Sequence, residues 1–291
     1  PTGSAITLTY PLQAADIAAG TVSQTLSLTQ LTTGGNGSWS ASATLTDTAG
    51  NASVAATGSF ILDTVAPPAT GALTATAPND TGTLGDNTTS KTTPTVSGIT
   101  EAGATVSVVV DGRTYTTTAN GSGAWSITTA TLADGSYTPV ITTTDLAGNT
   151  ATANGTAFSI DTTAPAATGA LTATAPNDSG TLGDNRTNDT TPTLSGTTEP
   201  LASISVVVNG VTYTTTANSS GAWSVTTNTL TDGSYTPVIT VTDVAGNVAT
   251  ANGTAFSIDT SAPAATGALT ATAPNDSGTL GDNRTNDTTP T

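Results

Sequence analysis

Single carboxylates that recur at one fixed spacing are the residues of this sequence most able to do chemistry. Asp63, Asp161 and Asp259 each follow a β-branched run and begin a Thr-rich turn that ends at proline, as in "DTTAP". They are separated by steps of 98 residues (161 − 63 and 259 − 161). Only 8% of the chain is charged, so an acid that returns at the same position indicates that it has the same role in each copy. Carboxylates and amide oxygens are the ligands of hard cations such as Ca²⁺.

Composition argues against several other classes of function. The chain has Lys+Arg 4, Asp+Glu 20, no His, no Cys and a net charge of −16. Without His or Cys, and with Lys91 as the only lysine, no enzymatic activity is expected, and zinc and copper lack their usual ligands. The acidic excess argues against nucleic acid and anionic membrane surfaces as partners. No apolar run approaches the roughly 20 residues of a membrane span, so direct membrane insertion is not expected.

The rest of the chain keeps the same step, so the carboxylates belong to a tandem array. The motif "GDN" is centred on Asp86 and again on Asp184, and "TDLAGN" returns one step later as "TDVAGN". We predict a partial, divergent repeat over 1–62, complete repeats over 63–160 and 161–258, and a partial repeat over 259–291. Partial repeats at both ends are expected of a window on a longer array.

Each repeat is predicted to be all-β. Seven short runs rich in Thr, Val and Ile, from "GALTATA" through "SYTPVITTTD" to "NGTAFSID", are separated by "DG", "NG" and Pro/Gly clusters. No stretch has convincing helical periodicity. Seven strands in about 100 residues are typical of an immunoglobulin-like antiparallel β-sandwich, and the sandwiches are expected to lie end to end. Trp125, Tyr115, Tyr137 and Phe158 are the expected core rings, because single rings at strand spacing normally face inward.

The alternation of loops in a sandwich predicts which acids share a pole. With the seven strands named A to G, the repeat start, the B–C loop and the F–G loop lie at one pole, and the A–B and E–F loops lie at the other. The first group of candidate metal ligands is Asp63, Glu101, Asp145, Asn149, Asp161, Glu199, Asp243, Asn247 and Asp259. The second group is Asp80, Asp86, Asp134, Asp178, Asp184 and Asp232. When repeats stack end to end the two poles meet, and Ca²⁺ would relieve the repulsion between them.

An alternative interpretation stands beside this one. Asp and Asn are common turn residues because their side chains bond nearby backbone amides, so any single acid is open to a purely structural role. The A–B segment "NDSGTLGDNRTND" is a second candidate for a cation within one repeat, although it lacks the ligand order of an EF-hand. Lys91 stands where the next repeat has Asp189, which predicts weaker or no cation binding in that segment of the first complete repeat.

Several motifs together resemble the bacterial Ig-like repeats of giant surface adhesins. They are "DTTAP", "NDSGTLGDNRTNDTTPTLSGTTEP", "GAWS" and "LADGSYTPVITTTDLAGN", and the resemblance covers nearly all of 63–291. Such repeats form the extender regions of biofilm-associated and RTX-type adhesins exported by type I secretion. The resemblance implies an extracellular location on a bacterial surface, a rod shape and Ca²⁺ at the linkers between domains. The ligands it implies are Asp63, Asp161, Asp259, Glu101, Glu199, Asp145 and Asp243.

The function favoured by the sequence is a structural extender, a calcium-rigidified rod that projects a distal binding domain for adhesion or biofilm formation. Its partners would be the neighbouring repeats of the same chain. Two alternatives stay open. One is a binding module for carbohydrate or a host protein, with avidity supplied by the repeats. The other is a self-assembling filament, in which other copies of the chain complete the partial end repeats.

Overall fold

The computed structural model describes residues 9–19, 21–22 and 35–267, together with the single residues 279, 284, 286 and 288. Within this part of the chain, strands make up nearly all of the regular structure. The predicted all-β class is therefore confirmed. The chain folds as two compact units, residues 1–165 with 242–248 and residues 166–241 with 249–291.

One short helix departs from the expectation that no helix is present. Helix α1 (Ala14–Ala19) has the sequence "AADIAA", and alanine has the highest helix propensity of any residue. Six residues make less than two turns, which is too short for a 3.6-residue hydrophobic period to be visible in the sequence. None of the helical structure described is long and apolar enough to cross a membrane.

An antiparallel pair of strands precedes the first complete repeat. Strand β1 (Gly37–Ala43) pairs with β2 (Ala56–Leu62), and Trp39 lies opposite Phe60. The two rings stack with their centroids 6.3 Å apart. One step of 98 residues later, Tyr137 lies opposite Phe158 in the same way, with centroids 5.8 Å apart. The divergent first segment thus keeps one strand pair of the repeat.

The two complete repeats have the same strands in the same order. Those of the first repeat are β3 (Ala72–Leu73), β4 (Thr88–Thr89), β5 (Thr95–Ile99), β6 (Thr105–Val110), β7 (Arg113–Thr118), β8 (Ala124–Thr128), β9 (Gly135–Tyr137), β10 (Val140–Thr144), β11 (Thr150–Asn154) and β12 (Phe158–Ile160). Those of the second are β13 (Ala170–Leu171), β14 (Arg186–Thr187), β15 (Thr193–Thr197), β16 (Ser203–Val208), β17 (Val211–Thr216), β18 (Ala222–Thr226), β19 (Gly233–Tyr235), β20 (Val238–Thr242), β21 (Val248–Asn252) and β22 (Phe256–Ile258).

These strands form three small sheets in each repeat. In the first repeat the orders are β3-β5-β8, β11-β10-β6-β7 and β4-β12-β9, and in the second they are β13-β15-β18, β17-β16-β20-β21 and β14-β22-β19. Most pairs are antiparallel, but β4 runs parallel to β12 and β14 runs parallel to β22. Val106, Val108 and Val110 of β6 are buried, with more exposed residues between them, as expected of a strand with one face on a core.

Each complete repeat has ten strands instead of the seven predicted, and two of the differences have a clear physical reason. The run "SYTPVITTTD" was expected to be one strand, but β9 and β10 lie in different sheets. Pro139, which separates them, has no N–H to donate to a ladder, so the chain changes sheets there. Strand β11 lies in a segment that is not among the predicted strands. Its sequence "TATAN" includes Ala and Asn, which are poor strand formers, so the pattern did not indicate a strand there.

The expected core rings are found in or against the core. Trp125 and Phe158 are buried, and Tyr115 and Tyr137 are half-buried and pack against the same cluster. The tyrosine hydroxyls reach the backbone: Tyr115 accepts from the Ala130 amide at 2.9 Å and Tyr137 donates to the Ala133 carbonyl at 2.9 Å. This satisfies the polar end of each ring at the edge of the core.

Candidate metal centre

The turn between β10 and β11 is built around Asp145. Asp145 Oδ1 accepts the Asn149 backbone amide at 2.8 Å, and Oδ2 accepts Asn149 Nδ2 at 2.8 Å. Gly148 has φ 93, a left-handed conformation that glycine adopts without a steric penalty. Burial opposes ionisation, but the hydrogen bonds from Asn149 and the turn amides hold the pKa of Asp145 below its usual value. The carboxylate is therefore anionic at neutral pH.

The same turn occurs one step earlier and one step later. Asp47 accepts the Asn51 amide at 2.8 Å and Asn51 Nδ2 at 2.8 Å, and Asp243 accepts the corresponding groups of Asn247 at 2.8 Å each. Hydrogen bonds from Asn51 hold the pKa of Asp47 below its usual value. The turn-forming role of these acids is thus real. It does not compete with metal binding, since each ionised carboxylate oxygen can accept more than one partner.

Asn149 also ties the turn to the start of its own repeat. Its Nδ2 donates to the backbone carbonyl of Asp63 at 3.1 Å, and Asn247 Nδ2 donates to the carbonyl of Asp161 at 2.8 Å. Asp63 Oδ1 accepts the Val65 amide at 3.0 Å. Two segments that are 86 residues apart in sequence are therefore held together.

Three carboxylates meet at this point of the first repeat. Asp63, Glu101 and Asp145 each have an oxygen within 4.8 Å of the others, and they are half-buried, exposed and buried in that order. Glu101 follows β5, in the predicted B–C loop. Three like charges this close repel one another. A divalent cation bound between them would attract all three carboxylates and outweigh that repulsion. The donor set fits Ca²⁺, which takes carboxylate, amide and backbone oxygens.

The second repeat carries the same residue types one step later in the sequence. Asp161 and Asp243 lie in the first unit and Glu199 lies in the second. Asp161 Oδ1 accepts the Thr163 amide at 3.0 Å, as Asp63 does with Val65. Asp259 is the first residue of the predicted partial repeat. Its amide donates to the Thr187 carbonyl at 2.9 Å, and its Oδ1 accepts the Ser261 amide at 3.0 Å.

Asp134 and Asp232, in the E–F loops, have different partners. Asp134 Oδ1 accepts both the amide and the hydroxyl of Thr162, at 3.2 and 2.8 Å, and Oδ2 accepts the Thr163 hydroxyl at 3.2 Å. Asp232 does the same with Thr260 and Ser261. These hydrogen bonds hold the pKa of both acids below the usual value. Each acid fastens the segment that follows the last strand of its repeat.

Sequence reasoning missed Asn36, the counterpart of Asp134 one step earlier. Thr64 Oγ1 donates to Asn36 Oδ1 at 2.9 Å, as Thr162 does to Asp134. Asn36 Nδ2 also donates to Asp63 Oδ1 at 3.1 Å, a bond that an aspartate could not donate. The 98-residue step itself was the signal, but a search restricted to acids passes over an asparagine.

The remaining candidates lie away from this cluster, in the loops between β3 and β4 and between β13 and β14. Asp80 and Asp178 are buried, whereas Asp86 and Asp184 are exposed. Lys91 and Asp189 follow these loops and are half-buried. The expected difference in cation affinity between the two repeats stays a prediction.

Solved structures with some similarity to the chain include bacterial adhesins. One is the Ca²⁺-stabilized adhesin that helps an Antarctic bacterium reach out and bind ice, at 30% identity over 80% of this chain and 60% of that one, with a TM-score of 0.35. Another is a 1.5-MDa bacterial ice-binding adhesin, at 27% identity over 75% of this chain and 73% of that one, with a TM-score of 0.33. TM-scores this low do not establish a common overall structure. The chain also spans only 60% of the length of the first of these adhesins.

The family is established by sequence instead. No curated protein matches the chain, but the family model described as "Bacterial Ig-like domain" matches residues 67–162 and 165–260. Together these two segments cover well over half of the chain, and each begins a few residues after the Asp63 or Asp161 that opens a predicted repeat. The chain therefore belongs to the bacterial Ig-like domain family and carries two copies of that domain in tandem.

Proposed function

We propose that this chain is part of the extender of a bacterial cell-surface adhesin, in which Ca²⁺ stiffens a series of Ig-like repeats. The observation that carries the proposal is the cluster of Asp63, Glu101 and Asp145, with carboxylate oxygens within 4.8 Å of one another at the start of a repeat. The recurrence of the same residue types after 98 positions supports a mechanical role, because a spacer needs the same joint many times.

Asp63, Glu101 and Asp145 would hold the ion. Ca²⁺ supplies a charge that joins oxygens from three separate segments of the chain. Asp63 lies where one repeat gives way to the next, so holding its carboxylate fixes the direction in which the chain enters the sandwich. Asn149 prepares this arrangement by holding the Asp63 carbonyl at 3.1 Å. Ordering a linker costs roughly 1–2 kcal/mol per residue, and cation binding would offset that cost.

The partners in this proposal are the neighbouring repeats of the same chain. A stiff series of them would project a distal binding domain from the cell surface, and this proposal gives the chain no catalytic role. A filament of separate copies makes a different prediction, because its apparent mass in solution would grow with protein concentration.

The test is small-angle scattering and thermal unfolding of the chain in Ca²⁺ and in EGTA. A site occupied at 100 times its Kd adds about 2.7 kcal/mol of stability, so the Tm should fall on chelation and the maximum dimension of the particle should change. Glu101→Gln should remove much of that response, because Glu101 is exposed and the substitution removes only its charge.

Asp111→Asn is the matched control. Asp111 has φ 51 in a turn, and Asn209 occupies the equivalent position of the next repeat with φ 49, so this substitution should change neither fold nor calcium response. Identical scattering and melting curves with and without Ca²⁺ would refute the calcium mechanism, whatever the fate of the extender role.

A further inference from the structure

A second acidic residue in each repeat has a buried oxygen without a protein partner. Asp80 is 1% exposed; its Oδ2 accepts the Gly85 amide at 2.6 Å, while its Oδ1 is buried and has no hydrogen-bond partner among the protein atoms. Asp178, in the other compact unit, is also 1% exposed, accepts the Gly183 amide through Oδ2 and has the same unpartnered Oδ1. The feature therefore occurs twice, once in each compact unit.

A second acid lies in the turn that binds Asp80, directly after the glycine whose amide Asp80 accepts. Gly85 and Asn87 have left-handed backbones, with φ 88 and φ 64, and Asp86 lies between them. The Asp86 Oδ1 accepts the Thr88 amide at 2.7 Å. The bond from the Gly85 amide to Asp80 therefore holds the two acids in one turn.

The second repeat builds the same loop. Gly183 and Asn185 have φ 88 and φ 61 around Asp184, and Asp184 Oδ1 accepts the Arg186 amide at 2.9 Å. Left-handed glycine and asparagine on either side of an acid turn the chain tightly. In both repeats the exposed acid directly follows the glycine whose amide is bound by the buried acid.

The neighbouring donors in this loop already have partners. Asn79 Nδ2 donates to the carbonyls of Thr74 and Thr95, at 2.8 and 3.0 Å. The Thr89 hydroxyl donates to the Asn79 carbonyl at 2.9 Å. A carboxylate oxygen buried without a partner is costly. A bound cation would remove that cost.

We propose that the loop of residues 79–87 and its counterpart, residues 177–185, each bind one Ca²⁺ within a single repeat. Asp80 Oδ1 and the Asp86 carboxylate are the anionic ligands in the first loop, and Asp178 Oδ1 and the Asp184 carboxylate are those in the second. Loop carbonyls and water complete the shell. An irregular loop with few charged ligands suits Ca²⁺ better than Mg²⁺, which demands a near-ideal octahedron and keeps its waters. The site is separate from the Asp63 cluster and does not depend on it.

The ion would fasten a long connection to the sandwich. The loop runs from β3 to β4, and β4 consists only of Thr88 and Thr89, paired in parallel with the end of β12. Two residues of ladder hold little by themselves. A cation at Asp80 and Asp86 would therefore hold β4 against β12, the last strand of the repeat.

The number of bound Ca²⁺ ions tests the proposal directly. The full chain, stripped of metal and dialysed against Ca²⁺, is analysed by atomic emission. At a Ca²⁺ concentration that also saturates the weaker site expected beside Lys91, the double variant Asp80→Asn with Asp178→Asn should lose two ions per chain. Asparagine keeps an acceptor for the Gly85 and Gly183 amides but loses the anionic ligand. Asp111→Asn should lose none. Glu101→Gln with Glu199→Gln should leave these two ions in place, which separates this proposal from the proposed function.

Thermal unfolding gives a second readout. In EGTA the double variant should melt at the same temperature as the wild type or higher, since it lacks the two unpartnered carboxylate oxygens, and in Ca²⁺ it should melt lower. If these oxygens bind no cation, the variant will match the wild type in both buffers and in ion count, and the proposal is overturned. If the double variant does not fold, Asp86→Asn with Asp184→Asn, at exposed positions, must show the same loss of ions.

Discussion

At the scale of single residues, acids of one type do three different tasks. Asp145 forms a turn and faces two other carboxylates. Asp134 fastens the segment at Thr162 through hydrogen bonds. Asp80 is buried with one oxygen unpartnered. Composition cannot separate these tasks, because each depends on what lies opposite the side chain.

The pH dependence of stability should reveal the task of Asp134. Its pKa is lowered mainly by the hydrogen bonds from Thr162, so its stabilising effect is present above the pKa of the unfolded chain. That effect is lost as the pH falls from about 4 through the lower folded value. The difference in unfolding free energy between wild type and Asp134→Ala should therefore shrink in acid.

Hydrogen exchange at the Thr162 and Thr163 amides gives the matching local measurement, and it should speed up in Asp134→Ala at neutral pH. Asp111→Asn, at an exposed turn, is the control and should leave these amides unchanged. A stability difference that stays constant down to strongly acidic pH would contradict the assigned role.

At the scale of strands and sheets, close approach to a tryptophan decides which glycines are required. A Cβ at Gly98, in β5, would lie 2.2 Å from the Thr70 carbonyl oxygen and 2.8 Å from the Trp125 ring. Gly196 makes the same approach to Thr168 and Trp223 in the second repeat. The core of each repeat therefore needs a residue without a Cβ, that is glycine, beside its tryptophan.

Gly98→Ala should destabilise the first repeat by about 1–3 kcal/mol, the usual cost of overpacking a core, as measured by denaturant unfolding. The control is Gly121→Ser, because a Cβ at Gly121 meets nothing within 4 Å and Ser219 occupies the equivalent position in the next repeat. Equal stability of the two variants would show that the backbone near Trp125 relaxes freely.

At the scale of the whole molecule, charge is the dominant property. A net charge of −16 with only 4 basic residues means that the acids repel one another. In physiological buffer, salt screens this repulsion at separations beyond about 8–10 Å. Repulsion of this kind keeps a protein soluble but opposes compactness.

Two kinds of salt should therefore act differently on the metal-free chain. Raising NaCl should increase its Tm modestly by screening, whereas Ca²⁺ at far lower concentration should increase it further through specific sites. Mg²⁺ at the same ionic strength is the matched control. If NaCl, Mg²⁺ and Ca²⁺ at equal ionic strength give the same Tm, the effect is screening alone.

The sequence by itself determined the repeat, its all-β class and the pole at which Asp63, Glu101 and Asp145 lie. Periodicity, turn residues and the alternation of loops can all be recognised from the order of residues along the chain. Only the tertiary structure decided that the chain changes sheets at Pro139, that Asn36 takes the place of Asp134, and that Asp80 is buried with one oxygen unpartnered. Those outcomes depend on which distant segments pack together, and no pattern along the chain records the atom that ends up opposite a side chain.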